Sequence, residues 1–232
     1  MVINMKILGL QKLTLLDYPG KVACTLFTGG CNFRCPYCHN ASLVLMTDND
    51  EITQEEFFGF LRNRAGKLDG VCITGGEPLI NDDIKPFIKK IRNMGFLVKL
   101  DTNGSFPERL KGFLDEGLID YTAMDIKNSL SRYEETIGVK TNTEKIGESV
   151  RLIMSSKIPY EFRTTVVRGF HDDNSFYEIG KLIKGAKAYY LQAFADSGNL
   201  IGSGLSGFTK AEMEAFKKIA SEYVETIGIR GI

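Results

Sequence analysis

Three closely spaced cysteines are the residues of this chain with the most evident chemistry. Cys31, Cys35 and Cys38 lie within the eight residues CNFRCPYC, directly after a short apolar run and two glycines. Thiolates bind soft and borderline metals, and this spacing lets one loop wrap three of them around a compact centre. The spacing favours a [4Fe-4S] cluster that leaves one iron open to an outside ligand. A zinc ion held by the three cysteines and His39 stays open as the alternative.

Composition limits the classes of protein to which the chain can belong. Its 232 residues are 43% hydrophobic, and 29 Lys and Arg balance 29 Asp and Glu. A chain of this length buries a core without disulfides, and its balanced charge draws it neither to nucleic acid nor to a membrane surface. Polar residues interrupt the first 20 positions before a signal peptide or a spanning helix could form. We therefore expect a cytoplasmic protein with no nucleic-acid or membrane partner.

Short apolar runs, separated by helical patterns, must position the cysteine loop. Six of them are predicted to be buried strands: residues 22–27, 71–74, 96–100, 121–124, 162–167 and 188–194. Cys24 and Cys72 fall inside two of these runs and are expected to be packing residues. Because long connections separate the runs, we expect a parallel sheet with helices outside it.

Helix signals fill the intervals between these strands. Thr53 and Glu56 form a capping box, and Thr209 and Glu212 form another near the C-terminus. The clearest amphipathic stripe is Ile84, Phe87, Ile88 and Ile91, before Gly95; further helices are expected at 110–114, 146–154 and 176–183.

The predicted fold class is α/β, a partial, open (β/α)6 barrel. Parallel barrels of this kind place their functional loops at the carboxyl ends of the strands. We expect one domain over residues 1–232, with a core at about 21–195. Residues 1–20 form an N-terminal segment, residues 205–232 form a helical C-terminal extension, and the glycine-rich stretch 196–208 is a loop after the last strand.

The cysteine segment resembles the CxxxCxxC signature of radical S-adenosylmethionine (SAM) enzymes, including an aromatic residue, Tyr37, before the third cysteine. The resemblance implies that the amino and carboxylate groups of SAM chelate the open iron. One electron from the cluster would then split SAM into methionine and a 5'-deoxyadenosyl radical. No cysteine follows position 72, which argues against auxiliary clusters.

Polar residues at the other strand ends extend the resemblance. One such segment, Gly75-Gly76-Glu77, resembles the GGE motif that binds the methionine amino group. Taken alone, this segment fits an ordinary glycine turn with a solvent-facing Glu. Two further segments resemble those of glycyl-radical activating enzymes: Asp101-Thr102-Asn103-Gly104 and Asp125-Ile126-Lys127.

The resemblance implies roles for the residues of these segments. Lys127 would meet the SAM carboxylate, and Asp101, Thr102 and Asp125 would orient the ribose or hold a monovalent cation. Each of these residues alone fits a helix cap or an ion pair equally well. Arg163 would lie near the carboxylate or ribose. Pyruvate formate-lyase activating enzyme has a histidine on the sixth strand that contacts the cofactor, and in this chain, which has no histidine there, Gln192 is the candidate to replace it.

Three segments around the cysteines, LDYPGK, FTGGC and CHN, resemble the activating proteins of anaerobic ribonucleoside-triphosphate reductase. That resemblance implies an enzyme that generates a glycyl radical on a partner protein and takes its electron from a low-potential donor such as flavodoxin or ferredoxin. Two alternatives stay open. One is a radical SAM enzyme for a small molecule, such as a deazapurine synthase, and the other is a zinc-stabilised binding module that is not an enzyme.

Overall fold

The computed structural model describes residues 5–47 and 50–232, so the first four residues of the expected N-terminal segment lie outside the description. Helices and strands alternate along most of this part of the chain. The strands are β1 (Ile7–Thr14), β2 (Ala23–Thr28), β3 (Gly70–Gly75), β4 (Leu97–Thr102), β5 (Tyr121–Asp125), β6 (Tyr160–Val166), β7 (Tyr189–Ala193) and β8 (Ile227–Arg230).

The strand order of the sheet follows the chain order, from β1 to β8. Strand β1 runs antiparallel to β2, whereas the pairs β2–β3, β3–β4, β6–β7 and β7–β8 are parallel. The predicted fold class, an open α/β barrel-like sheet, is confirmed. Strands β2 to β7 are the six predicted ones, with ends that shift by at most two residues.

The two edge strands, β1 and β8, were absent from the sequence prediction for a physical reason. Strand β1 carries Gln11 and Lys12 on an exposed stretch, and β8 has only four residues, all of them half-buried. Neither strand has the continuous apolar run of a strand covered on both faces. The C-terminal extension therefore contains a strand in addition to the expected helix.

Eight α-helices are present in the described ranges: α1 (Ala41–Leu45), α2 (Gln54–Asn63), α3 (Ile84–Asn93), α4 (Pro107–Asp115), α5 (Tyr133–Ile137), α6 (Thr143–Ser155), α7 (Asp173–Leu182) and α8 (Lys210–Ala220). Both predicted capping boxes exist, at the start of α2 and of α8. Helix α3 buries its whole predicted stripe and ends before Gly95, whose φ of +88° suits glycine. None of the described helices has the length and apolarity needed to cross a bilayer.

The chain divides into two compact units. The first comprises the residues up to Asn32, Ser42–Thr102 and Glu108–Thr122, and the second comprises Phe33–Ala41, Asn103–Pro107 and Ala123–Ile232. In the first unit, Phe57 and Phe58 pack on Phe87 with ring centroids 5.4 and 5.0 Å apart. In the second, Phe176 stacks on Phe216 at 4.6 Å. Aromatic pairs of this kind add to the hydrophobic stabilisation of each core.

Candidate functional site

The cysteine segment connects β2 to α1. Cys31 belongs to the first compact unit, whereas Cys35 and Cys38 belong to the second. Within the second unit, the Cys38 amide donates to the Cys35 carbonyl at 3.0 Å and the Gly202 amide donates to the Pro36 carbonyl at 2.7 Å. These backbone bonds fix the segment and link it to the glycine-rich loop that follows β7.

None of the five cysteines is in a disulfide, so disulfide bonding does not compete with a metal for the thiols of this segment. Burial raises the pKa of Cys35 to about 11, so this thiol keeps its proton until a metal takes the proton's place. In the described part of the chain, no group of three or more His, Cys, Asp or Glu side chains is arranged to hold a metal ion. Cys24 and Cys72 are fully buried, which confirms that they pack in the interior.

Tyr37 shows that the second unit fits a polar ligand. Its side chain is buried against the Phe170 ring, with centroids 5.8 Å apart, and among the described residues its hydroxyl has no hydrogen-bond partner. A buried hydroxyl without a partner is costly, and native structures satisfy nearly all such groups. A ligand with a polar atom within reach of this hydroxyl would satisfy it.

The turn after β3 lies so close to a neighbouring backbone segment that its positions require glycine. Gly75 has a φ of +112°, and a Cβ at Gly76 would lie 1.9 Å from the carbonyl oxygen of Gly30. The amide of Glu77 donates to that same oxygen at 2.9 Å. A backbone this close to its neighbour presents its polar groups to a ligand without a side chain in between.

Glu77 itself has a structural role in this turn. Its side chain is fully buried, where it accepts hydrogen bonds from the Leu79 amide at 3.0 Å and from the Thr102 hydroxyl at 2.9 Å. The carboxylate thus caps the short 3₁₀ helix Pro78–Ile80. A contact of Glu77 with the SAM ammonium group stays a prediction.

The structure separates the side chains of Asp101 and Thr102. Successive strand residues point to opposite faces, and Thr102 reaches Glu77 whereas Asp101 pairs with the buried Lys99 on its own face. Asn103 belongs to the second unit, where its side chain accepts from the amide and hydroxyl of Ser105 at 2.9 and 2.6 Å. Asp101 therefore lies on the face that it shares with Lys99, and Thr102 lies on the opposite face.

A charged trio lies at the end of β5. Asp125 accepts from Lys127 Nζ at 3.0 Å and from Arg163 Nε at 2.9 Å, and the three side chains are between 14 and 28% exposed. Burial opposes charge on Asp125, but Arg163 and Lys127 outweigh it and hold the pKa of this carboxyl well below its usual range. Burial also opposes charge on Lys127, yet Asp125 above all holds the pKa of this ammonium well above its usual value. The trio carries a net positive charge that can attract a carboxylate.

The backbone of Lys127 is held on both sides by residues that sequence reasoning missed. Its amide donates to the Tyr133 hydroxyl at 3.3 Å, and its carbonyl lies 2.8 Å from Nε2 of His171. The Val167 amide donates to the other ring nitrogen of His171 at 3.1 Å, so Nε2 carries the proton that the Lys127 carbonyl accepts. No motif marks Tyr133 or His171, because only the tertiary fold brings them to Lys127.

Gln192 lies on β7, where its side-chain oxygen accepts from the Thr165 hydroxyl at 3.5 Å. On the adjacent strand its register partner is Arg230, which sequence reasoning also missed. Arg230 makes a bidentate pair with Glu161 at 2.8 and 2.9 Å and lies 3.6 Å above the Tyr190 ring. The prediction that Gln192 replaces the histidine of relatives stays untested.

The chain is similar to known proteins over most of its length. A family model described as the radical SAM superfamily matches residues 25–182. The chain is 31% identical over 231 residues to a Methanocaldococcus jannaschii protein named "Putative glycyl-radical enzyme activating enzyme", and this match covers 97% of this chain and 95% of that protein.

Two further similarities are partial. The chain is 34% identical over 110 residues to the 7-carboxy-7-deazaguanine synthase of Thermoplasma acidophilum, which covers 47% of this chain and 49% of that enzyme. A solved domain of pyruvate-formate lyase-activating enzyme from Bacteroides vulgatus matches with a TM-score of 0.55 and 17% identity, over 68% of this chain and 98% of that domain. The structural similarity demonstrates a shared fold.

Proposed function

The chain belongs to the radical SAM superfamily, and on that premise we propose that it activates a glycyl-radical enzyme, with anaerobic ribonucleoside-triphosphate reductase as the partner. Membership of the superfamily makes it an oxidoreductase that uses a [4Fe-4S] cluster and SAM, and it removes the zinc-stabilised module from consideration. With one electron from a low-potential donor, the bound cluster and SAM would supply a 5'-deoxyadenosyl radical, and this radical would become 5'-deoxyadenosine by taking a hydrogen atom from the Cα of a glycine in the partner.

Within this proposal, Cys31, Cys35 and Cys38 hold three irons of the cluster. Each thiol would lose its proton when it binds iron. At Cys35 the iron would displace a proton that is held firmly, because burial raises the pKa of this thiol. The buried hydroxyl of Tyr37 gains a partner from the cofactor. This use of the segment is supported by its spacing and by the unpartnered hydroxyl.

Two positions recognise the charged ends of the methionine moiety. Lys127, oriented by Asp125 and by the two bonds to its backbone, offers its ammonium group to the carboxylate of SAM. The backbone of the turn at Gly75 and Gly76, which Glu77 supports, approaches the amino group. Arg163 adds positive charge beside the carboxylate and keeps Asp125 ionised.

The single observation that carries the activase proposal is the match with the M. jannaschii relative, because it spans nearly the whole of both chains. The glycine-rich loop at 196–208 supports it, since this loop contacts the cysteine segment through Gly202 and Pro36. A surface loop beside the cluster segment suits a protein substrate.

The test uses anaerobically reconstituted protein, reduced with dithionite or with flavodoxin or ferredoxin as donor, and incubated with SAM and an anaerobic ribonucleotide reductase. Electron paramagnetic resonance should show a glycyl-radical doublet on the reductase. The matched control is a reductase in which the radical glycine is alanine, and it should give no doublet. A doublet on another glycyl-radical enzyme, but never on the reductase, would keep the activase proposal and replace the partner.

The partial similarity to 7-carboxy-7-deazaguanine synthase supplies the competing outcome. A small-molecule enzyme would share the cysteine motif and the SAM contacts and would differ in its substrate. Cleavage of SAM with catalytic conversion of a pterin-like or purine-like metabolite, and no doublet on any glycyl-radical enzyme, would overturn the activase proposal.

A further inference from the structure

A buried lysine in the first compact unit has no part in the function described above. Lys99 lies on β4 and is 1% exposed. Its register partner on β3 is Cys72, whose sulfur lies 3.7 Å from Nζ of Lys99. The ring of Tyr121 lies 5.8 Å from the same nitrogen. A buried ammonium group requires a compensating partner, since charge is expensive to remove from water.

That partner is Asp101, two residues further along the same face of the strand. Lys99 forms a salt bridge with Oδ1 of Asp101, and the Cys72 sulfur lies 3.9 Å from the same oxygen. The carboxylate is only 12% exposed, so little water is available to screen the pair. The negative charge of Asp101 is therefore matched from inside the protein.

This arrangement does not fit a metal cation at Asp101. The resemblance to activating enzymes allows a monovalent cation there, because hard oxygen ligands suit one. A second cation beside Asp101 would meet the ammonium of Lys99 with little solvent between them, and like charges repel strongly in such surroundings.

We propose that Lys99 is the resident cation of Asp101, a positioning residue that lets the site bind SAM without a monovalent metal ion. This proposal rests on the proposed function, because that function is the reason for assigning Asp101 to the SAM site. Lys99 does not touch the cofactor in this scheme. It fixes the orientation of Asp101 and supplies the positive charge that a bound metal ion would otherwise have to supply.

The first arm of the test compares cations on the reconstituted wild-type protein. SAM affinity is measured by equilibrium dialysis in tetramethylammonium chloride, with Na⁺ or K⁺ substituted at constant ionic strength. The affinity should be the same in all three salts. An affinity that rises with Na⁺ or K⁺ would overturn the proposal, whereas a wild-type protein that holds its cluster but never binds SAM would overturn the proposed function.

The second arm measures the unfolding of the Lys99→Met variant before cluster reconstitution, so that its result does not depend on SAM binding. The free energy of unfolding of this variant should rise as Na⁺ or K⁺ replaces tetramethylammonium, because the unmatched Asp101 gains a cation that binds only the folded state. In the reconstituted variant, SAM affinity should acquire the same cation dependence. Lys89→Met, which removes an exposed ion pair with Glu116, is the matched control and should show neither effect.

The double variant Lys99→Met with Asp101→Asn separates charge from packing. It removes both charges, so its unfolding should lose the cation dependence that the single variant shows. A folded Lys99→Met protein that ignores Na⁺ and K⁺ in both measurements would refute the proposal. If the single variant does not fold, the cation series on the wild-type protein and recovery of folding in the double variant decide the question.

Discussion

Among single residues, the three cysteines proposed to hold the cluster differ in their surroundings. Cys35 is buried beside Lys127, whose positive charge lowers the pKa of the thiol and partly offsets the effect of burial. Cys31 and Cys38 are half-buried. A metal must therefore displace a strongly held proton from Cys35, and this makes cluster assembly sensitive to that position.

We predict that replacing Cys31, Cys35 and Cys38 together by alanine abolishes iron binding after anaerobic reconstitution. All three thiolates proposed to bind the cluster are then missing, and the segment contains no other cysteine that could replace them. Visible absorption and iron and sulfide analysis measure the loss. Cys24→Ala, at a buried position in β2, should retain the cluster. Iron–sulfur absorption of wild-type strength in the triple variant would disprove the assignment.

Lys127→Met should weaken SAM binding and leave iron content unchanged. The variant loses a charge-assisted contact worth roughly 1.5 to 3 kcal/mol, so the affinity should fall about tenfold or more. Arg163 still pairs with Asp125 in the variant, which limits structural damage. Equilibrium dialysis measures the affinity, and the exposed Lys140→Met serves as control. Equal SAM affinity in the two variants would remove Lys127 from the site.

His171 should make stability depend on pH. Burial lowers the pKa of this imidazole, and this effect outweighs the hydrogen bonds to the backbone of Lys127 and Val167, which act in the opposite direction. The folded state then binds fewer protons than the unfolded state, so the free energy of unfolding should fall as the pH drops below about 6.5, the ordinary histidine pKa. Denaturant unfolding across this range measures the slope. His171→Gln should flatten it, and an identical slope in the variant would contradict the assignment.

At the level of elements, the end of β3 depends on close backbone approach. In Gly76→Ala the new methyl would meet the Gly30 carbonyl, so strands β2 and β3 must separate at their functional ends. We predict a loss of about 1 to 3 kcal/mol of stability, together with weaker SAM binding. The matched control is Gly112→Ala in α4, where the new Cβ would have no atom within 4 Å apart from its chain neighbours and the backbone of its own helix. It should stabilise the helix by about 0.5 to 1 kcal/mol, and a harmless Gly76→Ala would refute the tight turn.

The elements that could be predicted are those that carry their own local signal. Continuous apolar runs marked β2 to β7, and capping boxes marked the starts of α2 and α8. Helices α1 and α5 have five residues each, too few for a periodic pattern. Strand β8 exists because it pairs with β7, and no local pattern of four residues reports such pairing.

The candidate site also combines residues that a local sequence motif marks with residues that only the fold of the whole chain brings together. Motif residues such as Glu77 and Lys127 could be located because their spacing is local. The partners that orient them come from distant segments: Thr102 for Glu77, and His171 for Lys127. Lys99 was within reach of sequence reasoning, because a charged residue in an apolar run needs a partner.

The last strand should matter to the stability of the second unit as a whole. Arg230, near the C-terminus, pairs through both of its terminal nitrogens with Glu161 on β6, whose side chain is 3% exposed. In Arg230→Met this buried carboxylate loses a bidentate partner that is itself 39% exposed, and we expect a loss of about 1 to 3 kcal/mol of unfolding free energy. Chemical denaturation measures it. The double variant Arg230→Met with Glu161→Gln removes the buried charge and should recover a large part of the loss. Equal stability of the single variant and the wild type would show that the pair contributes nothing measurable to stability.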